Sequence, residues 1–377
     1  MINRQLQVKL EKKLFQQKVV ILYGARQVGK TTLVKNLLSS FGKDSKYLSC
    51  DQISVQKGLE SKDIEQIKIF LGNYKLIALD EAQNVNEVGK ILKLIVDFFP
   101  EVQIIATGSS SFDLADKVSE PLTGRNFTFL LYPLSVSEIV QNSDQARTKA
   151  ELESFLRFGM YPEVYTLQSE EEKIERLNEI ASDYLYKDVL KFERIRKSDI
   201  VKRLIELLAL QLGQEVSSTE LATQLGINRI TVEKYLDILE KSFIIFKLRS
   251  FSRNKRKEIS KSFKVYFFDL GIRNSIIQNF NAPDLRTDTG ALWENFCILE
   301  RRKYLEQKGE SKLAYFWRTY DQKELDYVEE SAGKITGYEF KWNAKKTFKE
   351  PEEFKKRYGA EIEKIDPENF WSFIGIK

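Results

Sequence analysis

Two stretches of the chain carry residue types that can do phosphate chemistry. Residues 24–31 read Gly24, Ala25, Arg26, Gln27, Val28, Gly29, Lys30, Thr31, the full GxxxxGKT spacing. Glycines let a backbone curl until several N–H groups face one anion. Lys30 then neutralises phosphate charge, Thr31 offers a hydroxyl to Mg²⁺, and Thr32 extends the contact into the first helical turn. Fifty positions after Lys30 come Asp80 and Glu81. An aspartate at the carboxyl end of a parallel strand can hold Mg²⁺ through water, and the glutamate beside it can polarise an attacking water. The other reading of Glu81, a solvated acid opening the next helix, stays open. The second stretch is Asp326 followed by Glu339 and Lys341, with Glu294 upstream. Carboxylates converging on Mg²⁺ beside a lysine suffice for phosphodiester hydrolysis. Alternation along a strand puts Glu339 and Lys341 on one face and Phe340 on the other, so a plain amphipathic strand explains the same letters.

The elements that would position these groups are legible around them. "KVVILYG", "YKLIALD" and "VQIIATG" are buried-type strands, each followed by turn residues and a helical pattern. Strands separated by helices imply a parallel sheet covered on both faces, with nucleotide at the carboxyl ends of the strands. Thr107 and Ser109 end the third strand. They could sense a γ-phosphate, or be ordinary turn material. Arg125 sits between Gly124 and a further apolar strand, as an arginine finger delivered to a γ-phosphate or as a surface residue.

The middle of the chain is helical from 146 to 212 and is broken at "FGMYPEVY", where the proline stops a helix. "SSTELATQLGINRITVEKYLDILEKSFIIFKL" reads as a helix-turn-helix. Ser218 or Thr219 caps the first helix, with Leu221, Ala222 and Leu225 on its apolar face. Gly226 makes the turn, and Asn228 caps a second helix carrying Ile230, Val232, Tyr235, Leu236 and Leu239. "SFIIFKLRSF" and "FKVYFFDLG" would pair as a wing. Residues 241–264 hold nine Lys or Arg against one Glu. Such a basic wing, with Lys255, Arg256 and Lys257, suits a phosphate backbone, and Asn228, Arg229, Thr231 and Lys234 could face a groove. A protein–protein module is the competing reading.

Composition bounds the rest. A chain of 377 residues exceeds one ordinary core and points to two or three domains. There is no histidine, which removes every Ser-His or Cys-His nucleophile and leaves carboxylates, Lys, Arg, backbone amides and metal ions. Two cysteines argue against a disulfide framework and a zinc site. No apolar run approaches membrane-spanning length, and the charged N-terminus shows no secretion signal. A reduced, cytoplasmic location without membrane attachment is expected.

Taken together, these motifs resemble the prokaryotic AAA-type, archaeal-ATPase-like and STAND-related proteins that pair a P-loop domain with a C-terminal domain of unknown function. "YGARQVGKTTL", "LIALDEAQ", "ATGSSS", "LTGR" and "LYPLS" carry the likeness in the first half. "YLYKDV", "KVYFFDLG", "GALWENF", "ELDYV" and "YEFKW" carry it in the second. The resemblance implies an α/β fold in four parts: an AAA-type P-loop ATPase domain (1–145), a helical linker region (146–212), a winged helix-turn-helix (213–272) and a restriction-endonuclease-like domain (285–377). It further implies Lys30 and Thr31 as nucleotide-binding, Asp80 and Glu81 as metal and catalytic residues, and Arg125 as arginine finger. Glu294, Asp326, Glu339 and Lys341 stand where the nuclease-like family keeps its acids and lysine, Asp326 and Glu339 as metal ligands. The expected cofactors are ATP and Mg²⁺, and the expected partners are DNA and a second copy of the chain. The leading expectation is a DNA-associated ATPase acting as switch or motor. The alternative is an ATP-driven signalling or assembly protein whose C-terminal half binds protein partners.

Overall fold

"VVILY", "LIALD" and "QIIATG" are apolar without alternation, which is how a strand reads when both its faces are covered. In the computed structural model, which describes residues 2–61, 63–109, 122–184, 198–252, 263–319, 321 and 323–377, all three are buried strands. They are β1 (Val19–Tyr23), β3 (Leu76–Asp80) and β4 (Gln103–Gly108). With β2 (Ser45–Ser49) and β5 (Asn126–Leu130) they form a five-stranded, wholly parallel sheet of order β2-β3-β4-β1-β5. The helix Lys30–Ser39 buries Leu33, Val34, Leu37 and Leu38, and Val88–Phe98 buries Val88, Ile91, Leu92 and Ile95. That 3.6-residue spacing gives each helix one apolar stripe for the sheet. The strands carrying Gly24, Asp80 and Thr107 at their carboxyl ends are adjacent, so this order assembles the phosphate chemistry.

By its own contacts the chain forms two units, Met1–Pro133 with Lys241–Phe243, and Leu134–Glu240 with Ile244–Lys377. Residues 134–145, expected in the ATPase segment, belong to the second unit.

The second unit is built on a seven-stranded mixed sheet of order β12-β11-β10-β9-β7-β8-β6. Its strands are β6 (Glu215–Val216), β7 (Ile245–Ser250), β8 (Phe263–Phe267), β9 (Leu313–Arg318), β10 (Glu324–Ser331), β11 (Lys334–Phe340) and β12 (Glu361–Ile365). The two strands expected as a wing, β7 and β8, do pair antiparallel. Yet β7 also pairs with β9 through Arg249 and Ser250, so this hairpin and the C-terminal strands share one sheet. The helix Thr289–Lys308 is buried around most of its circumference. Asn295 ties it to β8, donating to the Phe267 carbonyl (3.0 Å) and accepting from the Phe267 N–H (2.7 Å). Farther along, Arg301 forms a two-pronged ion pair with Glu329 (2.7 and 2.9 Å), which satisfies both groups in the interior.

Strict alternation fails on β10. The register against β9 shifts between Leu325 and Val328, a bulge of one residue. Leu325 and Val328 consequently both enter the core around Trp317, Phe251 and Phe354. Tyr327 instead packs beside Tyr338 and Phe340, so Leu325 and Tyr327 do not act as one alternating pair around Asp326. The "FGMYPEVY" break has its own steric cause. A Cβ on Gly159 would lie 2.0 Å from a carboxylate oxygen of Asp269, which accepts from the Met160 N–H at 2.7 Å. Ile230, expected on an apolar face, is 78% exposed; Val232, Leu236, Ile238 and Leu239 bury that helix.

Candidate functional site

The first site lies at the carboxyl edge of β1, β3 and β4. The loop leaving β1 turns through Gln27 (φ 60°) and Gly29 (φ 98°) into the helix Lys30–Ser39. Gly24 must lack a side chain, because a Cβ there would lie 2.4 Å from the Leu131 carbonyl oxygen. Ala25 and Val28 are buried, Arg26 is half-buried, and Gln27 and Thr32 are exposed. Lys30 is 5% exposed, and its ammonium donates to the carbonyls of Gly24 (2.7 Å) and Ala25 (2.9 Å) within the loop.

Asp80 is the hub of the site. Its Oδ2 accepts from the Thr31 hydroxyl (2.8 Å) and the Tyr47 hydroxyl (2.5 Å), and its Oδ1 from the Thr107 hydroxyl (2.5 Å). Thr107 in turn accepts from the Glu81 N–H (3.1 Å), so one buried hydroxyl links the two acids. Glu81 adopts a left-handed conformation (φ 53°), and its carboxylate accepts from the Gln83 amide, which also reaches the Ser109 hydroxyl (3.3 Å). A non-glycine residue at positive φ is a strained arrangement that neighbours must hold, and strain of this kind gathers at functional positions. Burial, then the hydrogen bond to Asp80, pushes the Tyr47 phenol well above its ordinary pKa; it stays a donor. Burial likewise pushes the Cys50 thiol up to about 12, helped by Asp80, which removes it as a nucleophile. A hydroxyl and a carboxylate side by side, as Thr31 and Asp80 stand, fit the oxygen preference of Mg²⁺.

Tyr47 was not singled out from sequence. It sits mid-strand in "SKYLS", where nothing local separates it from a packing tyrosine; only the pairing of β2 with β3 sets it beside Asp80.

Arg125 stands apart from this group. It precedes β5, and because β5 runs parallel to β1, it lies at the amino-terminal edge of the sheet. A five-residue strand spans about 15 Å, so Arg125 cannot serve its own chain's phosphate loop. Its Nε instead pairs with Asp97 at 2.8 Å.

The second unit gathers the other set. Glu294 from the helix, Asp326 from β10, Glu339 from β11 and Lys341 just past its end form one cluster with three residues the sequence did not assign to it: Lys264 and Tyr266 of β8 and Glu324 of β10. The Lys264 ammonium, 3% exposed, contacts Glu324 (2.5 Å), Glu294 (2.9 Å) and Asp326 (3.9 Å). Tyr266 donates to Glu294 at 2.5 Å, the Phe340 N–H donates to Asp326 at 2.9 Å, and Lys341 pairs with Glu339 at 2.5 Å. Burial, then the nearby Asp326 charge, lifts Glu339 to about 7. Burial also lifts Glu294 to about 8 against the pull of Lys264, and raises Asp326. Desolvation would make Lys264 less basic, but Glu294, Asp326 and Glu324 outweigh it and hold the ammonium charged.

That arrangement corrects one expectation: Lys264, counted with the basic wing, is an internal counter-ion, with Asp326 at 3.9 Å. Among the described residues no group of three or more His, Cys, Asp or Glu side chains is placed to hold a metal ion. Lys264 and Tyr266 alternate correctly in "FKVYF", but their partner lies 28 or more residues away.

The helix-turn-helix residues have local employment. The Asn228 side chain accepts from the Thr231 N–H (2.8 Å) and hydroxyl (2.9 Å), and Arg229 pairs with Glu233 (2.8 Å). Lys234 is exposed. The helix Arg229–Lys241 carries three basic and three acidic residues, so it brings no net charge. Lys255, Arg256 and Lys257 lie outside the described residues.

Comparison with known proteins matches residues 16–140 to an AAA domain family. Residues 149–283 match a domain of unknown function, DUF8612, and 289–369 another, DUF4143. An uncharacterized protein of Mycobacterium tuberculosis is 28% identical over 344 residues, covering 90% of this chain and 74% of that one. An uncharacterized protein of Methanocaldococcus jannaschii is 28% identical over 329 residues, covering 82% and 71%. The Walker-type ATPase of Pyrococcus abyssi superposes with a TM-score of 0.52 at 15% identity, covering 74% of this chain and 96% of that one. With the parallel sheet and its phosphate loop, the first unit is a P-loop ATPase domain of the AAA type. Among the described residues no helix is long and apolar enough to cross a membrane.

Proposed function

We propose that the protein binds and hydrolyses ATP with Mg²⁺, and that nucleotide state governs what the second unit holds. The hydrogen-bonded chain Thr31–Asp80–Thr107–Glu81 beside Lys30 carries this reading. The loop amides and Lys30 would bind the phosphates, and Thr31 and Asp80 would hold Mg²⁺, which supplies charge neutralisation. Glu81, held by Gln83 and anchored through its amide to Thr107, would orient water and take up its proton.

For the second unit we propose contact with DNA without cleavage. The closed charge of the Lys264 cluster favours this over cutting, and the basic run of residues 253–261 supports a phosphate partner. One assay addresses both halves: ATP turnover and plasmid nicking measured together, with Mg²⁺ or Mn²⁺. Lys30→Ala should lose ATP binding. Glu81→Gln should bind ATP while turning over ~100-fold or more slowly, the scale of a lost general base; turnover at the parent rate would remove Glu81 from the role. The parent should nick no more than Asp326→Asn. Nicking by the parent that Asp326→Asn abolishes would establish a nuclease instead. DNA affinity insensitive to salt would shift the second unit to a protein partner, and the whole to a signalling or assembly protein. Arg125 can act only from one copy on another, so turnover per molecule should rise as copies assemble; specific activity independent of concentration would exclude it.

A further inference from the structure

Arg4 lies 20 residues before the phosphate loop, in a segment the motifs do not include. Its guanidinium spans two backbone carbonyls that belong to different parts of the first unit. Nη1 donates to Val28 (2.7 Å), the residue before the loop's second glycine, and Nη2 donates to Tyr132 (2.6 Å), just beyond β5. A Cβ on Gly29 would come within 3.7 Å of the same Nη1, so the guanidinium lies directly against the loop. Tyr132 follows Leu131, whose N–H donates to the Tyr23 carbonyl (2.8 Å) and whose carbonyl closes on Gly24. The stretch Leu131–Tyr132 therefore touches the loop's first glycine directly and its far shoulder through Arg4. Leu10 and Leu14, both buried, anchor the segment that delivers Arg4.

From this geometry we infer that Arg4 is a positioning residue of the nucleotide site, fixing the Val28–Gly29 peptide for phosphate binding; the inference rests on the ATP reading above. A trans peptide is planar, with its C=O and N–H on opposite sides. Holding the Val28 carbonyl at Arg4 aims the Gly29 N–H to the opposite side, and keeps that carbonyl from turning toward an anion it would repel. Val28 lies between two residues at positive φ, Gln27 and Gly29, so the orientation of this peptide is one its neighbours must hold. A planar fork holds two carbonyls in one fixed relative geometry, whereas a lysine's ammonium is a point charge whose donors rotate freely.

ATP titrations of turnover, with Mg²⁺ present, test this on the full chain. Arg4→Gln should raise KM for ATP about 10-fold while kcat at saturation stays within about 3-fold, and the ATP-induced rise in melting temperature should shrink accordingly. Arg4→Lys, a second variant that keeps the charge, should fall between Gln and the parent. An Arg4→Gln protein that melts lower without nucleotide yet keeps the parent KM would make Arg4 a purely structural contact and overturn the assignment. So would a loss confined to kcat. A parent that neither binds nor turns over ATP would instead overturn the underlying ATP reading, and this one with it.

Discussion

Asp80 is 5% exposed, and both of its oxygens accept from hydroxyls. Hydrogen bonds of this kind are what let a carboxylate be buried at all. The same logic, with full charges, governs Asp288 in the second unit. It accepts from Arg273 (2.6 Å) and from two nitrogens of Arg286 (2.8 and 2.9 Å). Burial alone would raise its pKa, but the two guanidinium groups outweigh burial and lower it from 3.8 to about 2. The folded protein thus binds this proton more weakly than the unfolded chain. The contribution, about 2 kcal/mol, is fully present above about pH 4 and fades as pH falls toward 2. Urea unfolding at pH 5 and pH 3 should show the parent losing stability on acidification and Asp288→Asn, already weakened, losing less. Equal losses in both would place the acid sensitivity elsewhere.

At the scale of elements, the helix Arg229–Lys241 opens on residues that also have structural partners of their own. Asn228 spends its carbonyl on the first turn of that helix, and Arg229 spends its charge on Glu233. Asn228→Ala should cost about 1 kcal/mol in denaturant unfolding, as cap losses do, while leaving the salt dependence of DNA affinity unchanged. Neutralising Lys255, Arg256 and Lys257 together should lower that salt slope by up to about three phosphate contacts. If Asn228→Ala weakens DNA binding without changing stability, the residue reads a groove after all. The bulge on β10 is the other element-level device. One extra residue re-aims Asp326 and Tyr327, and it lies beside the cluster that Lys264 closes.

At the scale of the whole molecule, one sheet presents adjacent strand ends to a nucleotide, and a second sheet brings two chain segments into one ionic cluster. The phosphate loop was legible from letters because strand, loop and helix are contiguous and each local preference agrees with the next. Asp80 was legible for the same reason, as the last letter of a buried-type strand. Arg125 was not: a residue beside a glycine and a strand reads alike at either edge of a parallel sheet, and only strand direction decides. Lys264 looked like wing charge because its sequence neighbours are basic, whereas its spatial neighbours are acids from a helix and from another strand. Arg4, Tyr47 and Tyr266 carry no local signal, since their partners lie 24 to 128 residues away. What the sequence alone determined, then, is the set of parts that short-range chemistry specifies: the loop, the strands with their terminal acids, the capped helix, and the exclusion of histidine chemistry. Tertiary structure decided which charges face one another, because register, a one-residue bulge and parallel strand order are set by packing across the chain rather than along it.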